Sequence, residues 1–154
     1  MGEGILDFAF NGRRTRRLGN RHEYMSPHGC YPCKGHDEWV TLVVRDDADW
    51  QAFCLVLGQP SLVADPRFAD PIIRYQHQDE LDAIISKWTS AKSHYQVMEE
   101  FQAQGVPAGP VLNAQQLLSD PHLRARGFFE AVEHPPEVGL GPPGVSRPGL
   151  ETVW

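Results

Sequence analysis

No run in this 154-residue chain approaches the roughly 18–20 consecutive apolar residues of a membrane-spanning helix, so none is expected. The opening "MGEGILDFAF" has an acidic residue where a secretory leader carries positive charge, and it lacks a long apolar core. Its Met1-Gly2 pair does not continue into a myristoylation signal, because Leu6 stands where Ser or Thr is wanted. Cysteine is scarce. Three residues, an odd number without a leader, read as free thiols in a reducing cytoplasm rather than as a disulfide framework. Positive charge is short too: 14 Lys and Arg face 20 Asp and Glu, and the net charge of -6 argues against nucleic acid as a partner. Internal repeats are absent.

What is present suits a globular chain. A hydrophobic fraction of 41% and four Trp residues are enough for one core of ordinary size, so a single domain or a piece of one is expected. The one basic cluster is Arg13, Arg14, Arg16, Arg17 and Arg21. Such a cluster can grip a phosphate-bearing ligand through bidentate hydrogen bonds, although a solvated linker is the simpler reading.

The stretch "SPHGCYPCKGHDEW" sets Cys30 and Cys33 in C-x-x-C spacing with His28 and His36 beside them. A structural zinc needs four ligands, usually two from each of two knuckles, and no second C-x-x-C or H-x-x-x-H occurs. A redox pair needs a helix N-terminus after the first thiol, and here strand-like sequence follows. We therefore read a β-hairpin and expect no metal: two short extended runs flank "KGHDE", "WVTLVV" is rich in β-branched residues, and the two thiols face opposite sides of the strand.

Helical spacing dominates the middle. After Asp46 as cap, Trp50, Phe53, Cys54 and Leu57 recur at i, i+3, i+4 and i+7, with Gly58 to stop the helix, so Cys54 is most simply a core residue. Asp65-Pro66 opens a short helical turn. Leu81, Ile84, Ile85 and Trp88 form the strongest stripe, with Asp79, Glu80 and Asp82 near the helix start where the macrodipole favours them. Ser93 and Gln96 stand in capping-box spacing before Val97, Met98 and Phe101, so two antiparallel helices are expected. "GVPAGPVLN" cannot be helical and reads as an extended segment at a sheet edge. Asn113 with Gln116 and Asp120-Pro121 each cap a short helix, the second ending at Gly127, and "FFEAVEHP" is a strand candidate. The Pro- and Gly-dense tail is assigned no regular structure.

Several phrases, in order, resemble the C-terminal half of family III CoA-transferases, a group that includes formyl-CoA transferase, carnitine CoA-transferase and alpha-methylacyl-CoA racemase. They are "GNRHEYMSPHGCYPCKGHDEWVTLVV", "DPRF", the stretch from Arg74 to Leu81, "GVPAGPVLN", "DPHLRARGFF", and "EHP" followed by Gly139, and they run from about Leu6 to Gly149. The resemblance implies an α+β small domain, a β-hairpin and small sheet packed against several helices. On it, residues 1–18 are a helix end and linker from a large domain, 19–112 the small domain, and 113–154 a return segment. It implies CoA transfer between carboxylic acids through an aspartyl intermediate, or the racemase branch of the same family, on acyl-CoA substrates without a tightly bound cofactor, in a cytoplasmic homodimer.

The same resemblance places the nucleophilic Asp, and most of the nucleotide binding, in the large domain, so no catalytic residue is carried onto this chain. It implies a loop of the small domain that covers the active site, at residues 19–29 here. "GNRHEYMSPHG" departs from the successive glycines of formyl-CoA transferase, a departure that implies a stiffer loop. The candidates are Gly19, Asn20, Arg21, His22, His28 and Gly29. Arg21, His22 and His28 are the groups able to meet an acyl carboxylate or phosphate; equally, the two histidines could only tie the loop down. A different class of function, a stand-alone interaction module, remains open beside these.

Overall fold

Strands rich in β-branched residues and helices with one apolar stripe must cover each other's faces, and the computed structural model shows how they meet. It describes the backbone of residues 2–14, 17–132 and 144–146, and their side chains except at 3, 130–132 and 144–146. The chain divides after Val111 into two compact units.

The first unit contains α1 (Gly2–Asn11), β1 (His28–Pro32), β2 (Trp39–Val43), α2 (Asp47–Val56), α3 (Pro71–Gln76), α4 (Gln78–Thr89), α5 (His94–Gln102) and β3 (Ala108–Val111). Two 3-10 turns, Pro60–Ala64 and Pro66–Phe68, link α2 to α3. The strands form one antiparallel sheet in the order β1-β2-β3, with Cys30 opposite Thr41 and Thr41 opposite Gly109. This is a small α+β domain, as expected. Pro110 is tolerated because β3 lies at an edge.

Alternation along β2 sends Val40 and Leu42 inward and leaves Trp39 and Thr41 exposed. The inward face joins Trp50, Phe53, Cys54 and Leu57 of the α2 stripe, Leu81 and Ile85 of α4, and Val97 and Phe101 of α5. Phe101 is the hub. Its ring stacks on Phe53 with centroids 4.9 Å apart and takes Trp88 edge-on at 5.4 Å. Full burial of each such side chain contributes about 1.5–3 kcal/mol.

Caps set the helix boundaries. The Asp46 side chain accepts from the Asp49 amide at 2.9 Å, Gly58 follows α2 with φ +69°, and Ser93 with Gln96 closes a reciprocal capping box on α5. The expected antiparallel helix pair is replaced by a different packing: α4 lies against β1, whereas α5 lies against β3 and α2. Each helix has a sheet or helix face to cover its own stripe, so the two meet through single side chains such as Trp88 and Phe101.

In the second unit Asn113 and Gln116 form a capping box on α6 (Ala114–Ser119), and Asp120 caps α7 (Pro121–Ala125). Then β4 (Glu130–Val132) pairs antiparallel with β5 (Gly144–Ser146). That pairing corrects the reading of the tail at 144–146, where three consecutive residues lack Pro and keep every ladder donor. The rest of the tail, and the end of the predicted strand beyond 132, lie outside the described residues.

One ion pair gives the acid limb of stability a testable part. Arg45 donates through Nε to Asp49 Oδ2 at 2.7 Å and through Nη2 to Oδ1 at 2.9 Å, and its backbone amide also reaches Oδ2. The Arg45 side chain holds the Asp49 carboxyl below the usual carboxylate range, against the upward pull of burial. With the folded value depressed, the stabilisation is complete above the unfolded value of about 3.9 and is lost as pH falls through the folded one. Asp49→Asn is therefore expected to be less stable than wild type at neutral pH, with a deficit that shrinks below about pH 4 in urea titrations. A deficit constant with pH would refute it.

Candidate functional site

Gln78, Asp82 and Ser86 recur at i, i+4 and i+8, a spacing that puts them on one face of α4 beside the apolar stripe. The loop of residues 19–29 and strand β1 lie along this polar face. Gly19 and Asn20 turn the chain, with Gly19 at φ +64°, a conformation that suits glycine. Arg21 then donates through Nη2 to Asp82 Oδ2 at 2.9 Å and to the Asp79 carboxylate. Tyr31 of β1 donates its hydroxyl to Asp82 Oδ1 at 2.8 Å. Both oxygens of Asp82 are thereby engaged.

Further along the loop, Gln78 donates through Nε2 to the His28 carbonyl at 3.1 Å, and Ser26 donates through Oγ to Gln78 Oε1 at 3.4 Å. Arg74, only 1% exposed, donates through Nε to the Ser26 carbonyl at 3.0 Å and through Nη1 to the Phe68 carbonyl at 3.1 Å. Its guanidinium lies 4.9 Å from the Trp50 ring centroid and reaches Asp47 at 3.1 Å. The Ser26-Pro27 peptide is cis.

Between loop, strand and helix lies an open cleft of about 220 Å³. Leu18, Asn20 and Arg21 line it before the strand, His28, Gly29, Cys30 and Tyr31 from β1, and Gln78, Asp82 and Ser86 from α4. Four of the six loop candidates thus come together. Gly19 makes the turn instead, and His22 stands behind the wall, its ring 5.5 Å from His28 and its Nδ1 accepting from the Tyr24 amide. His28 in turn donates through Nδ1 to the Asn20 carbonyl. At Gly29 a Cβ would lie 2.8 Å from the Tyr31 hydroxyl oxygen, so this position leaves room for the phenol to reach Asp82.

The electrostatics of the cleft differ from the expectation. Arg21 is drawn out of the basic cluster by Asp79 and Asp82, whose carboxylates offer it charge-assisted bonds; two carboxylates against one guanidinium leave the trio acidic. The bond to Asp79 raises the Arg21 pKa further, so its charge is permanent. Burial, then the neighbouring Asp82 charge, pushes the Tyr31 phenol far above its ordinary value and keeps it protonated as a donor.

Cys30 is half-buried at the cleft, while Cys33 is buried on the Tyr31 side and pushed up to about 11 by burial; Cys54, in the core, is pushed up to about 12. Among the described residues no three His, Cys, Asp or Glu side chains are grouped to hold a metal ion. Sequence reasoning missed Tyr31, Gln78, Asp82, Ser86 and Arg74 as parts of this site. The available signal is the polar i, i+4, i+8 stripe; along the sequence alone, Asp82 reads only as a charge near the helix start.

Comparison with known proteins agrees over nearly the whole chain. Residues 1–149 match the family model described as CoA-transferase family III. A probable CoA-transferase of Mycobacterium tuberculosis is 38% identical over 128 residues, covering 83% of this chain and 16% of that protein. Succinyl-CoA–D-citramalate CoA-transferase of Chloroflexus aurantiacus is 34% identical over 88% of this chain and 33% of its own length. Formyl-CoA:oxalate CoA-transferase of Bradyrhizobium diazoefficiens is 31% identical over 88% of this chain and 32% of its own length. The chain spans about a third or less of these relatives. A CAIB/BAIF family protein from Brucella suis shares the fold, with a TM-score of 0.73 at 24% identity over 84% of this chain and 34% of that one.

Proposed function

This chain belongs to CoA-transferase family III, and from that premise we propose that it is the small-domain part of an enzyme that moves CoA between carboxylic acids. The reaction would run through an aspartyl intermediate. The Asp carboxylate attacks the thioester carbonyl and CoA thiolate leaves, giving a mixed anhydride; the thiolate then attacks the aspartyl carbonyl, releasing the donor acid and leaving an aspartyl-CoA thioester that the acceptor acid repeats in reverse. We assign that Asp to residues outside this chain. Asp82, the carboxylate lining the cleft, spends both oxygens on Tyr31 and Arg21, which suits it to holding the cleft together rather than to attack.

The observation that carries the reading is the convergence of Asn20, Arg21, His28 and Gly29 with the polar face of α4 on one cleft. In this proposal the loop meets the acyl-CoA there and helps to exclude water. The complete enzyme would act in the cytoplasm as a homodimer, with acyl-CoA and a carboxylic acid as substrates and no tightly bound cofactor. The relatives above carry transferase names, which favours transfer over the racemase branch. A second reading, an interaction module, has one observation in its favour: α1 exposes Ile5, Leu6, Phe8 and Phe10.

A thioester-exchange assay with several acyl-CoA donors is expected to show no turnover by this chain alone, and alkylation of native Cys30 by iodoacetamide is expected to slow when acyl-CoA or pantetheine is added. Turnover would show that the nucleophile is misplaced. Cys30 labelling that ignores both ligands would sink the cleft reading and leave the interaction module.

A further inference from the structure

We infer that the cleft holds the CoA substrate by its pantetheine arm through the backbone of β1, the Cys30 N–H donating to an amide carbonyl of the arm and the Cys30 carbonyl accepting from an amide N–H. The inference rests on the CoA reading above and names the part of CoA that the cleft takes.

Two backbone bonds flanking the hairpin fix which way the peptide groups of β1 turn. The Val44 amide donates to the Pro27 carbonyl at 3.0 Å, and the Cys33 amide donates to the Glu38 carbonyl at 2.8 Å. In an antiparallel pair, bonded and non-bonded positions alternate, so Gly29 and Tyr31 exchange their ladder bonds with Leu42 and Val40. His28, Cys30 and Pro32 therefore turn their peptide groups away from β2, toward the open edge of the sheet.

Helix α4 lies along that edge and closes it at both ends. Gln78 donates through Nε2 to the His28 carbonyl at 3.1 Å, Thr89 donates through Oγ1 to the Pro32 carbonyl at 2.7 Å, and proline has no N–H to offer. Cys30 stands between them. Its outward N–H and C=O have no partner among the described residues, and it lines the cleft together with Asp82 and Ser86, which lie between Gln78 and Thr89 on the helix. A half-buried strand edge thus presents one donor and one acceptor to the cleft, groups that are costly to leave unpaired once water is displaced.

The size and charge of this opening select its occupant. A peptide adding a strand to a sheet edge bonds at alternate positions over several residues. Here the positions tied down at His28 and Pro32 are about 13 Å apart along the strand, with Cys30 alone turned outward between them. Asp79 and Asp82 outnumber Arg21 beside it, which disfavours a phosphate or a free carboxylate. The pantetheine arm is slender and uncharged and carries two secondary amides, so it can supply both the carbonyl and the N–H that Cys30 requires. Asn20 and Ser86 stand on the cleft walls for its remaining polar groups.

The test compares pantetheine binding, by calorimetric titration, to this chain and to its Cys30→Ala and Cys30→Pro variants. Alanine removes the thiol alone; proline also removes the N–H, at an outward position of the kind that Pro32 already occupies in the same strand, so the ladder bonds are kept. Cys30→Pro is expected to bind about fivefold more weakly than Cys30→Ala, the worth of one neutral hydrogen bond. In wild type, pantetheine should shift the Cys30 amide resonance and slow its hydrogen exchange, a readout that does not depend on the proline variant folding. Equal affinity of the two folded variants, or a Cys30 amide that stays unmoved while those of Asn20 and Ser86 shift, overturns the inference and leaves the cleft reading standing. A wild-type chain that binds no pantetheine brings down both. Displacement of pantetheine by an equal concentration of acetyl-trialanine amide would assign the edge to a peptide strand and overturn the inference too.

Discussion

Arg74→Met is expected to remove about 3–5 kcal/mol of stability. Methionine keeps the stem but none of the donors. The Ser26 and Phe68 carbonyls, each held by the buried guanidinium, would lose their Arg74 partner, and an unsatisfied buried acceptor costs about 1–3 kcal/mol. Loss of the cation over the Trp50 ring adds to this, whereas the bond to Asp47 adds little because that carboxylate is 72% exposed. Thermal unfolding should shift down by roughly 10 °C or more. Arg74→Lys should recover only part, since one ammonium cannot serve acceptors placed for a fork. Because Ser26 belongs to the cleft loop, the variant should also alkylate faster at Cys30. A loss under about 1 kcal/mol would mean that other donors reach those carbonyls.

The second large effect is expected at Asp82. Asp82→Ala leaves the Tyr31 hydroxyl, on a side chain only 3% exposed, without its acceptor and frees half of the Arg21 clamp. A destabilisation of about 2–3 kcal/mol follows from the orphaned hydroxyl and the lost charge-assisted bond. Tyr31→Phe should cost less, about 1–1.5 kcal/mol, because it removes a donor without leaving it unpaired. The double variant should then be more stable than the sum of the two single losses allows, with a coupling of about 1 kcal/mol in a urea-denaturation cycle. Additive losses would indicate that water already serves the Tyr31 hydroxyl. In binding assays, Asp82→Ala should weaken pantetheine more than Tyr31→Phe does, since it also leaves Arg21 held by Asp79 alone.

The elements that sequence reasoning anticipated are those decided by neighbours along the chain. The α2 stripe of Trp50, Phe53, Cys54 and Leu57, the caps at Asp46, Ser93 and Asn113, and the edge placement of Pro110 depend on residues a few positions apart. The helix partnership of α5 was misread because a stripe states that a face must be covered, and leaves open by what. The strand at 144–146 escaped notice because three residues between proline-rich segments carry too weak a pattern, and pairing with 130–132 supplies the rest.

The site divides in the same way. Resemblance and local composition pointed to the loop of residues 19–29, and Asn20, Arg21, His28 and Gly29 do share a cleft. The chemistry they share was not legible. Arg21 reads as one more member of a basic run until Asp79 and Asp82, some 58 and 61 residues later, arrive beside it.

By itself, then, the sequence determined α2, α4, α5, α6, α7 and the hairpin, because periodicity and caps are local properties, and its ordered motifs carried the resemblance that implied the family and its α+β class; α3 was not among the elements read from it. Only the tertiary structure decided that Arg21 is a strut held by two carboxylates and that Tyr31 and Gln78 are cleft residues. The physical reason is that pairing, burial and local field are set by distance in space, and a fold brings together groups that the chain keeps far apart.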